Sequence, residues 1–317
     1  MSSITHDRTE ILVGIDGTDH ADDAVHLARD LATATGARLV LVRAYPADAG
    51  NTVTGSVEWN RMLEADARRQ LEAAADGIPD LPDAEQVTVP VRSGARALHD
   101  LAVERGASLV VVGSSHSGRL GRLGRVLPGA TAERLLHGSP CPVAVAPHGY
   151  AERPRHSFGE VGVAWDDRRE ADAALGLAQA LALAFASSLR VVRVFEPPVF
   201  VEPGDASGMS YPTLANDLRA LARGGLDDAV AQISDVTPSE GRLVDDEPAR
   251  ALIEQSESLD LLVCGSRGYG PLRAVLLGGV TGQVIRDAAC PVVVVPRGAM
   301  ADLNGVEAVQ ARAAVEA

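Results

Sequence analysis

Two stretches about 150 residues apart carry one pattern, and that repeat limits the chain to folds built twice. Ile11-Leu12-Val13-Gly14-Ile15-Asp16 aligns with Val161-Gly162-Val163-Ala164-Trp165-Asp166. The helical stripe that follows is in register as well. Ala21, Ala24, Val25, Ala28, Leu31 and Ala32 correspond to Ala171, Ala174, Leu175, Ala178, Leu181 and Ala182, apolar positions at helical period in both copies. Gly36 stands where the first of these helices should end, as a C-cap. At 317 residues the chain has room for two domains of about 150 residues each.

Each copy then alternates strand and helix. The second strand is expected over Arg38–Tyr45 and Leu189–Phe195, each followed by proline. Segments rich in Gly, Pro and Ser read as loops, and second helices follow near Glu58–Ala75 and Thr213–Ile233. The third strand is expected over Gln86–Arg92 and around Gly241–Val244, the third helix over Ala95–Arg105 and Pro248–Glu257. A fourth strand, Leu109–Val112 or Leu261–Cys264, leads into a glycine loop, a fourth helix and a last strand after Cys141-Pro142 or Cys290-Pro291. Continuous apolar strands between amphipathic helices argue for an α/β fold of two doubly wound five-stranded parallel sheets, related as a pseudo-twofold tandem repeat. The linker falls near His148–Ser157, and an Ala-rich acidic tail follows Pro296.

The glycine loop of the second copy holds the strongest chemical signal. Leu261-Leu262-Val263 ends at Gly265, and Thr281 with Val284, Ile285 and Ala288 opens a helix. Between them stand Gly268, Gly270, Gly278 and Gly279. Glycines let backbone N–H groups approach a ligand, and a helix start adds unpaired donors at the positive end of its dipole. Strand, glycine loop and helix start together favour an anion, most naturally phosphate; the plain alternative is that the glycines only shape a loop. The loop recurs in degenerate form in the first copy, which favours the ligand. In a doubly wound sheet, ligands sit where strand order reverses. If strands 1 and 4 are neighbours there, Asp16 and Gly113 face one crevice, Asp166 and Gly265 another. A carboxylate repels phosphate, so Asp16 or Asp166 would serve a ribose hydroxyl or an adenine amine. The alternative is an Asx-turn or helix N-cap.

Composition removes several classes of function. The net charge of −14 speaks against a nucleic-acid backbone as partner. No apolar run reaches the ~18 residues of a membrane span. Residues 1–10 are polar with no apolar signal core, so a cytoplasmic location is expected. The 3 cysteines, Cys141, Cys264 and Cys290, lack paired spacing and read as buried thiols, and the 8 histidines lack metal-ligand spacing.

With its Gly265, Gly268 and Gly278 at Gly-x2-Gly-x9-Gly spacing and its Cys-Pro-Val last strands, the chain resembles a tandem universal stress protein, an adenine nucleotide alpha hydrolase-like fold. The resemblance covers domains at 8–148 and 158–297, with 298–317 left as a tail. It implies ATP, with Mg²⁺ accompanying it, on the loop residues Gly265, Ser266, Gly268, Gly278, Gly279, Val280 and Thr281. It also implies base contacts after strand 1 and at the end of strand 2: Ile15, Asp16 and Ala44 in one copy, Trp165, Asp166 and Val194 in the other. Trp165 could pack on the base or in the core. Gly279 stands where the family has Ser or Thr, which removes one phosphate donor; Thr281 is the candidate substitute.

The first copy offers Gly113, Ser114, Gly129, Ala130 and Thr131 but departs further. His116 replaces the second glycine, and Ala130 occupies the hydroxyl position. Gly113 to Gly129 spans 16 positions against 13 from Gly265 to Gly278, with a Gly-Arg triplet from Gly118 to Val126 whose arginines could clamp phosphate or be solvated.

The family's last strands pair about a twofold, so the two domains are expected to pair with each other, and the chain could form a homodimer. A nucleotide-binding stress-response regulator is therefore expected, against a nucleotide-free scaffold of the same fold. An enzyme is not expected, a slow ATP hydrolase being the lesser alternative: there is no Walker A lysine and no paired acid–base motif. Nucleotide binding in the second copy should be lost in Gly268→Glu.

Overall fold

The computed structural model describes residues 9–46, 55–78, 84–115, 127–128, 130–153, 158–197, 211–266 and 279–297. The first half runs β1 (Glu10–Gly14), α1 (Asp19–Thr35), β2 (Arg38–Ala44), α2 (Gly55–Asp76), β3 (Ala84–Val89), α3 (Gly94–Arg105), β4 (Leu109–Ser115), β5 (Leu127–Pro128), α4 (Ala130–Leu136) and β6 (Val143–Ala146). The second runs β7 (Glu160–Ala164), α5 (Arg169–Phe185), β8 (Ser188–Phe195), α6 (Tyr211–Ile233), β9 (Ser239–Asp245), α7 (Pro248–Ser256), β10 (Leu261–Gly265), α8 (Gly279–Asp287) and β11 (Val292–Val295).

The strands share one 11-stranded sheet. Its path is β3-β2-β1-β4-β6-β11-β10-β7-β8-β9, with β5 paired off the path to β4. Within each half the path strands are parallel. Strand order reverses between β1 and β4 and between β7 and β10, the adjacency the crevices require.

The halves meet where β6 and β11 pair antiparallel. Val143 faces Val294, Ala144 faces Val293 and Val145 faces Val292. In the repeat, Val143 matches Val292 and Val145 matches Val294, so the contact is self-complementary about the Ala144–Val293 pair. All eight residues of these two strands are buried. The last strand of each half would otherwise be a bare apolar edge.

Helices cover both faces. The predicted stripes of α1 and α5 are buried, and with parts of α2 and α6 they form one core that runs through both halves. A second core, against α3, α4, α7 and α8, covers the other face and also includes residues of both halves. Ion pairs line the amino ends of the strands: Arg105 and Arg38 bridge Glu85 and Glu10, and Arg190 holds Glu160 and Glu240. Hydrogen bonding from Arg105 lowers the Glu85 carboxyl from its ordinary value. The carboxyl ends are where the cavities described below open.

Three local details differ from expectation. β3 begins at Ala84 and ends at Val89 rather than running to Arg92. Pro90 has no N–H to continue the ladder, and Val91 N turns back to Val89 O at 2.9 Å. Ser114 and Ser115 extend β4 instead of opening a loop, because they pair with Pro128 and Leu127 of β5. At the end of α5, Ala186 adopts φ 52, where its repeat counterpart Gly36 ends α1 at φ 68. All three cysteines are free and buried; burial raises the Cys141 thiol to about 11, Cys264 to about 12, and Cys290 upward as well.

The linker is pinned rather than loose at its start. Buried Asp23 of α1 accepts from Gly149 N at 3.0 Å and Ala151 N at 2.8 Å. Tyr150 donates its hydroxyl to Asp30 at 2.9 Å, and Arg153 reaches the Ala289 carbonyl at 2.7 Å across the join.

Two stability changes follow. Ala186→Gly removes a side chain from a left-handed position and should raise unfolding free energy by about 1 kcal/mol, read by urea denaturation. Asp23→Ala leaves two linker N–H groups without their acceptor and should cost about 1–3 kcal/mol, with faster proteolysis near residues 149–153. Unchanged cleavage would mean that the linker does not depend on this carboxylate.

Candidate functional site

Each strand-order reversal opens a cavity at the carboxyl ends of the strands. In the first half its volume is about 480 Å³. Ile15 and Asp16 follow β1, Ala44 ends β2, Gly113 and Ser114 end β4, and Thr131 stands in the first turn of α4; all six line it. In the second half the cavity is about 80 Å³. Trp165 and Asp166 after β7, Val194 of β8, Gly265 of β10, and Val280 and Thr281 of α8 line that one. Residues far apart in the chain are therefore gathered in two matching groups. Ser266 continues from β10 and donates its N–H to Val295 at 2.9 Å, and Gly279 and Ala130 begin the last helices. Gly129, Gly268, Gly278, His116 and the Gly-Arg triplet lie outside the described residues.

The two aspartates make the turn that the sequence left open as one of their roles. Asp16 Oδ1 accepts from Thr18 N at 3.0 Å and from the Thr18 hydroxyl at 2.6 Å. Asp166 Oδ1 accepts from Arg168 N at 3.1 Å, and burial raises its carboxyl from the ordinary value. These are Asx-turns that hold the entry to α1 and α5. Both aspartates nevertheless line the cavities.

Other positions diverge between the halves. Trp165 replaces Ile15, Val194 replaces Ala44, and Pro248 replaces Gly94, so bulkier side chains surround the smaller cavity. Trp165 is buried and belongs to the core, and Arg193 lies over its ring at 5.5 Å. The same arginine makes two bonds to Asp167, at 2.6 and 2.5 Å. Its counterpart Arg43 lines the larger cavity and donates to the Ile15 carbonyl at 3.1 Å. The buried Thr281 hydroxyl donates to the Gly265 carbonyl at 3.0 Å, which ties α8 to β10. A Cβ at Gly279 would meet nothing within 4 Å, so a family-like Ser there would fit.

Sequence reasoning missed Arg43 and Arg92, both on the wall of the larger cavity. One signal was present: Arg43 interrupts the apolar run of β2 after Leu39-Val40-Leu41-Val42. The expected strand over Gln86–Arg92 puts Arg92 inside the sheet, whereas β3 ends at Val89 and leaves Arg92 beyond it.

The universal stress protein family model matches residues 8–147 and again residues 157–296. A universal stress protein of Mycolicibacterium smegmatis is 30% identical over 299 residues, covering 90% of this chain and 96% of its own. One from Mycobacterium tuberculosis strain H37Rv is 29% identical over 295 residues, covering 86% and 93%. Among solved structures, a universal stress protein from Archaeoglobus fulgidus superposes with a TM-score of 0.64 at 20% identity, covering 91% of this chain and 98% of that one, which is a likeness of fold. Two matches of one family model, and relatives aligned along nearly their whole length, place the chain in the universal stress protein family, as a tandem of two of its domains.

Proposed function

We propose that the chain is a cytoplasmic stress-response regulator that binds an adenine nucleotide, ATP with its Mg²⁺, and changes its homodimerisation or partner binding in response. The observation that carries this reading is the repeated cavity at the strand-order reversal. Each copy places an aspartate after its first strand, the end of its second strand and the first turn of its last helix around one space. That division suits a nucleotide. The aspartate serves the base or ribose, and the helix start serves the phosphates.

One buried side chain on the wall supports this reading. Ser114 is 1% exposed, and its hydroxyl has no hydrogen-bond partner among the described residues. A buried hydroxyl left unpaired costs about 1–3 kcal/mol, which a ligand on the cavity wall would relieve. We read the role as binding rather than catalysis, because the sequence has neither a Walker A lysine nor an acid–base pair for a bound nucleotide.

A second reading, a scaffold without nucleotide, draws support from the second half. There the cavity is about 80 Å³ and Thr281 is already bonded to Gly265.

Denaturing the purified protein should release ATP or AMP, identified by mass and ultraviolet spectrum. Mg-ATP at about a hundred times its dissociation constant should then raise the unfolding free energy by about 2.7 kcal/mol. No released nucleotide, together with no heat on titrating Mg-ATP, would select the scaffold.

A further inference from the structure

The two cavities share a topology but differ in charge, and the difference lies in parts the glycine loop does not include. Among its described lining residues the first-half cavity has two cations, Arg43 and Arg92, against one carboxylate, Asp16. The second-half cavity has one charged residue among its described lining, Asp166. In a chain of net charge −14, a local excess of positive charge has to be built.

The start of the third helix differs in the same sense. α3 begins beside the first cavity, with Gly94 and Ala97 on its wall. Its N-cap Ser93 accepts a single long bond, from Arg96 N at 3.4 Å. In the second half Glu247 takes that position, and its carboxylate accepts from both Ala249 N and Arg250 N, at 3.0 and 2.9 Å. Pro248 follows with no N–H of its own. The second half thus satisfies its helix dipole with its own anion. Among the described residues, the first has only the long Ser93 bond as a cap on the positive end of its 12-residue helix beside the cavity.

The arginines at the end of the second strand repeat the contrast. Arg193 is neutralised by Asp167. In the first half that position is Gly17, and Arg43 bonds only the Ile15 carbonyl among the described residues. A guanidinium has five N–H donors, and among the described residues one bond uses them. Independently of both helix and arginine, the buried Ser114 hydroxyl on the same wall lacks a partner among the described residues.

We infer that the first-half cavity is the anion-binding site of this chain, taking a phosphorylated ligand on Arg43, Arg92, the α3 N-terminus and Ser114, while the second half has internalised the equivalent charges and takes none. The assignment deepens the nucleotide reading in saying where the phosphates go. It also reverses the expectation from glycine spacing, which is closer to the family pattern in the second copy.

The test is calorimetric titration of the full chain with inorganic pyrophosphate and, separately, with Mg-ATP. Ser93→Glu transplants the carboxylate cap of the second half into the first, and a cap of that kind is compatible with the fold because α7 already carries one. Expected results are one equivalent bound per chain, loss of binding in Ser93→Glu, and a tenfold to hundredfold weakening, roughly, in Arg43→Gln. Arg43→Lys should recover part of the affinity. Two equivalents per chain, or loss in Gly268→Glu with Ser93→Glu unaffected, would overturn the assignment. The same holds for ATP binding that ignores Ser93→Glu, which would leave the nucleotide reading standing. Pyrophosphate bound in the expected pattern, with no gain for ATP, would keep the anion site and remove the adenine nucleotide. Binding of neither probe would remove both.

Discussion

The antiparallel pairing of β6 with β11 is the contact on which the rest of the molecule depends. Each half ends in a four-residue strand of Val and Ala that is buried on both faces and needs a partner along its edge. Each supplies the other's partner, with Ala144 opposite Val293 at the centre. Closing that edge makes one sheet from two, and it lets each helical face form a core that crosses the join. The linker is secured to the same frame by Asp23 and Tyr150 on one side and by Arg153 on the other.

Duplication then leaves two crevices with one topology and lets them diverge. Parallel order fixes where the crevices open, because strand order reverses beside the first strand of each half. It does not fix what lines them. One half keeps a roomy cavity with arginines on its wall. The other fills its cavity with Trp165, Val194 and Pro248 and pairs its arginine with Asp167. The hydrogen bond from Thr281 to Gly265 is a structural tie in that same half.

Much of this fold was legible in the residues. The stripes of α1 and α5 are the buried ones, since a 3.6-residue apolar period has one way to be satisfied against a sheet. The apolar β4 and β10 runs lie inside the sheet, and the aspartates after β1 and β7 reach the cavities. What escaped had one non-local and one local cause. That Ser114 lies on a strand depends on Pro128, and the early end of β3 depends on what Pro90 withholds from the ladder. The roles of Arg43 and Arg193 could not be told apart locally. Both follow valine in a strand, and only the neighbour at Gly17 or Asp167 separates them.

By itself the sequence determined that the chain is a duplicated α/β unit with crevices at the ends of its strands. Periodicity and the order of strands and helices are local properties, and few topologies satisfy them. Only the tertiary structure decided the register in which the two last strands join and that the two crevices differ in size and lining charge. Those outcomes rest on which side chains meet across more than a hundred residues of chain, as Val145 meets Val292 and Asp23 meets Gly149, and local pattern does not encode such encounters.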